Sequence, residues 1–274
     1  LEHIILIGEG QGARVHRYED LLERGPTISY TAPAVDPRQD LSMLIYTSGT
    51  TGNPKGAMIT QYQALRAALQ YARGVDATSE DVFIGFLPMC HSYGAGAILI
   101  QPLLLQARLV LMEAFNPEKA FQIIEGERIT LQLGAPAHFI LELNHPKRGS
   151  YDLSSLRAGL ISGQVAPEGL ITRVEKEMNV YLTSFWGASE VGPGVGLICP
   201  YPSPLEIREK SVGVPVPDTK VRVVDSESKE ELPDGEIGEL TLSGWHVLKG
   251  YWKNPEETQK QIIDGWLFMG DLVR

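Results

Sequence analysis

The residues best suited to chemistry lie between Tyr46 and Gly56, in the stretch YTSGTTGNPKG. Hydroxyl side chains donate hydrogen bonds to phosphate oxygens, glycines let backbone N–H groups approach an anion, and a lysine adds a positive charge. All three kinds of residue are concentrated here, as Thr47, Ser48, Gly49, Thr50, Thr51, Gly52, Lys55 and Gly56. The stretch therefore predicts a loop that binds a polyphosphate.

Two apolar, strand-like segments flank this loop, Leu41–Tyr46 before it and Ala57–Thr60 after it. The stretch is not a Walker P-loop, because that motif opens directly into a helix and the helical pattern here starts only near Gln61. We therefore expect a flexible lid over the phosphates. Composition alone leaves a surface hairpin as an equal alternative, since a Ser/Thr/Gly/Pro-rich run often only connects two strands.

The overall composition is that of a soluble globular protein, with 43% hydrophobic and 21% charged residues. The net charge of −10 argues against nonspecific binding to nucleic acid. We expect no transmembrane segment and no signal peptide, and therefore a cytoplasmic location. Cys90 and Cys199 are too few for a disulfide framework and are not spaced as a metal site. The sequence indicates no particular oligomeric state.

Strand-like and helix-like segments alternate between Val82 and Phe185, which predicts an α/β fold with a mostly parallel sheet flanked by helices. Ligands are expected beyond the carboxyl ends of such strands. After Trp186, glycine, proline and alternating β-branched residues predict a small antiparallel sheet or distorted barrel, with strands in Val212–Val216, Lys220–Asp225 and Glu236–Ser243. We expect three regions: the end of an upstream α/β subdomain with a linker (1–40), a central nucleotide- and acyl-binding subdomain that starts with the phosphate loop (41–211), and a β-rich subdomain (212–274).

Four further segments carry residues that could take part in chemistry. They are LPMCHSYG with His91, SGQVAP with Gly163, SFWGASE with Trp186 and Glu190, and DGWLFMGDL with Asp271. Each also has an interpretation without a ligand: a polar residue at a strand end, a strand-to-helix turn, a core tryptophan and a surface carboxylate. The glycine-rich loop Val191–Leu197 could simply leave the sheet, or its small residues could leave room for an acyl chain.

Taken in chain order, these motifs resemble those of the adenylate-forming superfamily of acyl-CoA synthetases, firefly luciferases and peptide-synthetase adenylation domains. The character is closest to acyl-CoA ligases such as the fatty-acid–CoA ligases. GELTLSG and KGYWKNPEET match two further motifs of that superfamily, which we interpret as structural because a glycine-bounded strand and a helix start need no ligand. The resemblance covers almost the whole chain.

The resemblance implies a role for each matching residue. The phosphate loop with Thr47 and Lys55 would hold the polyphosphate, His91 would gate the acyl pocket, and Asp271 would accept hydrogen bonds from the ribose. The remaining implied residues are Gly163, Gln164 and Val165 at the adenine, Trp186 stacked on it, Gly187 beside it, Ser189 at the α-phosphate, and Glu190 as the Mg²⁺ ligand. This chain departs from the usual motifs by Trp186 for tyrosine, Ser189 for threonine and Met269 for threonine, and the first two keep a flat ring and a hydroxyl.

The implied activity is ATP- and Mg²⁺-dependent conversion of a carboxylic acid to an acyl adenylate, followed by thioester formation with the co-substrate CoA. The loop around His91 offers no carboxylate to pair a substrate ammonium, so we expect an acid without an α-amino group. A fatty or other hydrophobic acid is the first expectation and an aryl acid the second. A luciferase-like or carrier-protein-loading enzyme and a non-catalytic nucleotide-binding module remain alternatives. We expect the chain to lack the family's C-terminal lid domain, and so to bind nucleotide better than it turns over.

Overall fold

The computed structural model describes residues 4–7, 12, 14–25, 29, 31–47 and 53–274. The chain forms two compact units, Leu1–Asp36 and Pro37–Arg274. In the first unit, β1 (Ile4–Leu6) pairs in parallel with β2 (Val15–Arg17), and α1 (Tyr18–Arg24) follows directly. The predicted chemistry lies in the second unit, which is considered from here on.

The second unit begins with a hairpin of β3 (Leu41–Thr47) and β4 (Lys55–Thr60), paired antiparallel. Thr47 lies opposite Lys55, so the two ends of the predicted phosphate loop are adjacent. This confirms that two strands flank the loop. Ser48, Gly49, Thr50, Thr51 and Gly52 lie outside the described residues.

Helix α2 (Gln61–Val75) starts where β4 ends, because a capping box closes its first turn. The Thr60 side chain accepts a hydrogen bond from the Gln63 N–H (3.3 Å), and Gln63 Oε1 accepts one from the Thr60 N–H (2.9 Å). The helix ends at Asp76, whose left-handed backbone (φ 49°) turns the chain away from the helix axis. Thus the strand that carries Lys55 continues directly into a rigid helix.

Alternating strands and helices then build a seven-stranded sheet. Its elements are β5 (Val82–Gly85), a π-helical segment (Gly94–Ile100) continued by α3 (Gln101–Leu105), β6 (Arg108–Leu111), α4 (Pro117–Glu127), β7 (Leu131–Gly134), α5 (Pro136–Leu143), a 3₁₀ turn (Arg148–Ser150), β8 (Ala158–Ile161), α6 (Leu170–Met178), β9 (Tyr181–Trp186), β10 (Leu197–Ile198), α7 (Leu205–Lys210) and β11 (Val214–Pro215). The strand order is β11-β10-β9-β8-β7-β5-β6, with β9, β8, β7, β5 and β6 parallel to one another and β10 antiparallel to both of its neighbours, β9 and β11. The predicted mostly parallel sheet is confirmed.

Both faces of this sheet are buried under helices. Neighbouring residues of one strand point to opposite faces, so Phe83 packs with Tyr71 of α2 while Ile84 packs with Phe121 of α4. All four side chains are fully buried. Strands that are covered on both faces have mostly apolar sequences, which is why these segments are strand-like in the sequence.

A four-stranded antiparallel sheet completes the unit. It contains β12 (Thr219–Val224), β13 (Gly238–Gly244), β14 (Ile262–Ile263) and β15 (Trp266–Val273), with α8 (Pro255–Gln261) leading into β14. One expected strand belongs elsewhere: β11, within the predicted strand Val212–Val216, pairs with β10 of the large sheet. The open edge of β10 exposes backbone N–H and C=O groups that need hydrogen-bond partners, and β11 supplies them. The expected boundary at 211/212 stays a prediction.

No helix in the part of the chain that the structure describes is long and apolar enough to span a lipid bilayer.

Candidate functional site

Three of the predicted motifs come together at one edge of the large sheet. Strands β5, β8 and β9 are parallel members of this sheet, so the loops after their carboxyl ends emerge on the same side. These loops carry His91, Gly163 and Glu190, respectively. The parallel topology therefore gathers residues that are far apart in the sequence.

Trp186 and Asp271 are in direct contact. The indole Nε1–H donates a hydrogen bond to Asp271 Oδ2 at 3.0 Å, which joins the end of β9 to β15 of the small sheet. Trp186 is half-buried and Asp271 is exposed, so an open carboxylate adjoins a partly open aromatic ring. The indole N–H of a tryptophan at this position fixes both side chains. From the sequence, the replacement of the usual tyrosine suggested only that a flat ring is kept.

Glu190 lies beside the end of the phosphate-loop hairpin. Its Oε1 accepts a hydrogen bond from the Tyr251 hydroxyl at 2.9 Å, and Thr47 Oγ1 approaches the same oxygen at 3.5 Å. Both contacts reach Oε1, so neither of them occupies Oε2. A carboxylate held through one oxygen can offer the other to a cation.

Lys55 forms a buried ion pair at the start of β4. Its Nζ lies 2.7 Å from Glu257 Oε2 on α8, and only 4% of the lysine side chain is exposed. Glu257 also pairs with Lys260 at 2.6 Å. These two ammonium groups, that of Lys260 first, lower the pKa of Glu257 to about 2, so it is a carboxylate at neutral pH.

The His91 loop reaches the strand end that carries Ser189. Ser189 Oγ donates to Ser92 Oγ at 3.4 Å, and both serines are buried. The neighbouring His91 is exposed, and its Nδ1 accepts a hydrogen bond from the Tyr93 N–H at 3.2 Å. Because Nδ1 is an acceptor, a neutral His91 carries its proton on Nε2.

The turn after β8 borders a cavity of about 140 Å³. Gln164 and Val165 line it from one side, and Ser184 and Phe185 of β9 line it from another. Val165 is 95% exposed, and it packs on nothing that would explain an apolar side chain there. The preceding Gly163 has a positive φ of 88°, which turns the chain sharply out of the strand.

The glycines around Glu190 are explained by close packing of the backbone. A Cβ on Gly187 would lie 1.9 Å from the carbonyl oxygen of Gly194, and one on Gly194 would lie 2.7 Å from the Tyr71 hydroxyl. Gly194 also has a positive φ of 93°. At Gly194, within the Val191–Leu197 loop, this packing leaves no open space for an acyl chain, which favours the interpretation of the loop as a connection that simply leaves the sheet.

Two residues of the site were not expected from the sequence. Tyr251 contacts Glu190 and Glu257 contacts Lys55, although their motif, KGYWKNPEET, was interpreted as structural. A helix start accounts for a glutamate at position 257 equally well, so the local pattern could not separate the two roles. Only the partner side chains, which lie far away in sequence, reveal the contacts.

Glu190 is the residue that could hold a Mg²⁺ ion. Among residues 31–47 and 53–274 and the shorter described pieces, no group of three or more His, Cys, Asp or Glu side chains could hold a metal ion by itself. Mg²⁺ is commonly bound by one or two carboxylates together with substrate phosphates and water, so a single carboxylate fits such a site. Thr47 and Glu190 would then face the same ligand.

Known proteins resemble this chain in both sequence and fold. Residues 7–252 match the family model described as AMP-binding enzyme. A long-chain-fatty-acid–CoA ligase of Bacillus subtilis is 33% identical over 264 residues, which are 95% of this chain and 46% of that protein. The anthranilate CoA ligase AuaEII in complex with anthranoyl-AMP superposes with a TM-score of 0.88 at 26% identity, over 99% of this chain and 52% of that one. ATP-bound MatB from Rhodopseudomonas palustris gives a TM-score of 0.82 at 26% identity, over 92% of this chain and 49% of that one. The chain thus spans about half the length of these relatives.

Proposed function

Because this chain belongs to the AMP-binding enzyme family, we propose that it forms the nucleotide- and acid-binding part of an AMP-forming acid–thiol ligase. The observation that carries the proposal is the hydrogen bond between Trp186 and Asp271. Adenine and ribose are adjacent in a nucleotide, and the residues assigned to them from separate motifs are adjacent in the fold. A surface tryptophan and a surface carboxylate with unrelated roles would have no reason to meet.

The proposed reaction has two steps. A carboxylate oxygen of the acid attacks the α-phosphorus of ATP, the bond from this phosphorus to the β-phosphate oxygen breaks, and pyrophosphate leaves with that electron pair. The CoA thiolate then attacks the acyl carbonyl carbon and expels AMP. Such chemistry requires mainly positioning and charge stabilisation, which hydroxyls, backbone N–H groups and a lysine can supply.

Each residue of the site has a proposed task in binding or orientation. Trp186 stacks on adenine and Asp271 accepts hydrogen bonds from the ribose hydroxyls. Ser189 binds the α-phosphate, and Thr47 and Lys55 act with the phosphate loop on the β- and γ-phosphates. His91 lies at the mouth of the acyl pocket and the turn Gly163–Val165 borders the adenine. Gly187 lets the backbone approach the nucleotide. Mg²⁺, held by Glu190, would neutralise phosphate charge when bound.

The acid is proposed to be hydrophobic and to lack an α-amino group. The fatty-acid–CoA ligase named above supports a fatty acid, and the anthranilate CoA ligase supports an aryl acid as the second candidate. We propose CoA as the acceptor and a cytoplasmic location. ATP–pyrophosphate exchange measured across a panel of acids with the whole protein would identify the acid, and CoA-dependent release of AMP would separate a CoA ligase from a luciferase-like or carrier-loading enzyme.

Calorimetric titration of the chain with MgATP tests the nucleotide site directly. We expect binding that is weakened roughly 10-fold or more by Glu190→Ala and by Asp271→Ala, since each removes a charged ligand-binding group. The exposed residues Glu236 and Asp234 provide matched controls, because Glu236→Ala and Asp234→Ala remove the same charges at positions to which no nucleotide contact is assigned. Absence of binding, or binding that neither site substitution changes, would contradict the proposal. Binding without acid-dependent exchange in the whole protein would indicate a non-catalytic nucleotide-binding module.

A further inference from the structure

One segment, Lys249–Gln261, contacts two of the charged residues of the proposed site, Glu190 and Lys55. Tyr251 donates a hydrogen bond to Glu190, and Glu257 forms the ion pair with Lys55. Its sequence suggested only structural motifs. The contacts raise the question of whether the segment controls the charged groups that face the nucleotide.

Backbone pairing fixes this segment against β4, next to Lys55. The Trp252 N–H donates to the Gly56 carbonyl at 2.8 Å, and the Met58 N–H donates to the Gly250 carbonyl at 3.0 Å. Tyr251 therefore lies opposite Ala57 in an antiparallel bridge. Main-chain pairing of this kind places Tyr251 independently of what its side chain touches.

The Tyr251 side chain then holds the carboxylate of Glu190. The ring is buried, with 3% exposure, and its hydroxyl also contacts the side chain of Gln261. A carboxylate can only accept a hydrogen bond, so the Tyr251 hydroxyl is the donor in its 2.9 Å contact with Glu190. Leu248, the residue that precedes this segment, fixes the main chain of Glu190, because its N–H donates to the Glu190 carbonyl at 2.9 Å. Glu190 is thus held at both its backbone and its side chain.

Glu257 holds Lys55 by a comparable arrangement. Asn254 caps α8, its side chain accepting the Glu257 N–H at 3.2 Å, and this sets Glu257 in the first turn of the helix. Each carboxylate oxygen then meets one ammonium, Oε2 that of Lys55 and Oε1 that of Lys260. A lysine with 4% exposure needs such a partner, because an unpaired buried charge is strongly unfavourable.

We propose that Tyr251 and Glu257 are positioning residues of the nucleotide site. Tyr251 holds Glu190 through Oε1, so that Oε2 can be directed toward a metal ion, and Glu257 keeps Lys55 in place at the end of the phosphate loop. The inference rests on the proposed function, because it assigns the two residues to a nucleotide site. The segment Lys249–Gln261 thereby sets the geometry of these two charged groups.

Tyr251→Phe tests the contact to Glu190. The readout is the gain in ATP affinity that Mg²⁺ produces in the full 274-residue chain, measured by calorimetry at increasing Mg²⁺. We expect this gain to fall roughly 10-fold or more, as when other partners of metal-binding side chains are removed. Tyr71→Phe is the matched control, since it removes a hydroxyl from an equally buried tyrosine that donates only to the Pro193 carbonyl, at 3.0 Å. In a Glu190→Gln background, Tyr251→Phe should cause no further change.

Glu257→Gln tests the contact to Lys55, with Glu256→Gln on the exposed side of the same helix turn as its control. The readout is the ratio of ATP to AMP affinity at pH 7.5, because only ATP carries the β- and γ-phosphates. Without its anionic partner, Lys55 is no longer held at the end of the phosphate loop. We therefore expect the ratio to fall several-fold in Glu257→Gln and to stay at the wild-type value in the control.

The outcomes separate this inference from the proposed function. If the wild-type chain does not bind MgATP, the proposed function and the inference both fail. If it binds MgATP with the expected dependence on Glu190, but Tyr251→Phe behaves like Tyr71→Phe and Glu257→Gln like Glu256→Gln, the inference alone is overturned. A folded Glu257→Gln protein decides the result if thermal melting shows that Tyr251→Phe does not fold.

Discussion

A carboxyl group buried in the core should make the stability of this chain fall as the pH rises. Glu142 on α5 is completely buried, and its Oε2 accepts a hydrogen bond from Gln132 Nε2 on β7 at 2.6 Å. The other side-chain oxygens of these two residues, Glu142 Oε1 and Gln132 Oε1, have no hydrogen-bond partner among the described residues. A proton on Glu142 would turn one of its oxygens into a donor, whereas a carboxylate can only accept. The fold therefore favours the neutral acid.

The magnitude follows from the shift in pKa. Burial raises the pKa of Glu142 from 4.5 to about 8. The folded state then binds the proton more tightly than the unfolded state, so the contribution of Glu142 is fully present below pH 4.5 and is lost as the pH rises to 8. The whole loss is about 5 kcal/mol, of which about 3 kcal/mol falls between pH 5.5 and 8.

Glu142→Gln should remove this pH dependence, because glutamine has nearly the same shape, stays neutral and carries its own donor. The assay is reversible urea unfolding at pH 5.5 and 8. We expect the free energy of unfolding to fall by about 3 kcal/mol less in Glu142→Gln than in the wild-type chain. Glu236→Gln, at an exposed glutamate, should match the wild type. An identical pH dependence in Glu142→Gln and the wild type would refute the reasoning.

Two further predictions follow from individual side chains. Burial, and to a smaller extent the charge of Arg66, lowers the pKa of His246 to about 4, so its contribution is present above pH 6.5 and lost as the pH falls to 4. His246→Asn should therefore reduce the loss in free energy of unfolding on acidification by about 3 kcal/mol, measured by urea unfolding. An unchanged loss between pH 6.5 and 4 would contradict this. Trp186→Phe keeps a flat ring but loses the N–H to Asp271, so MgATP binding should weaken by roughly 5-fold, about 1 kcal/mol, in calorimetry. An equal loss in an Asp271→Ala background, which has no acceptor for the indole N–H, would show that the hydrogen bond is not the cause.

The elements of the large sheet could be predicted because local patterns decide them. The parallel strands are buried on both faces, so their sequences are apolar. The helical pattern that starts near Gln61 predicts α2, and the structure places its start there. Strand β11 was assigned to the wrong sheet for the opposite reason. The alternating valines of Val212–Val216 predict a strand, but its partner is determined by the open edge of β10, which no local pattern reveals.

The sequence by itself determined which residues are available for chemistry. The order of the motifs identifies the family, and residue types such as the hydroxyl of Ser189, the carboxylate of Glu190 and the ring of Trp186 define what each position can bind. These properties are covalent, so they can be read without the fold.

The tertiary structure alone decided how these groups are held. It joined Trp186 to Asp271, Glu190 to Tyr251 and Lys55 to Glu257, pairs that are separated by 85, 61 and 202 residues. It also gave the glycines beside Glu190 a packing role in place of an acyl pocket. Contacts over such distances depend on strand order and on how two sheets meet, and these follow from burial and backbone pairing of the whole chain, which no short stretch of sequence encodes.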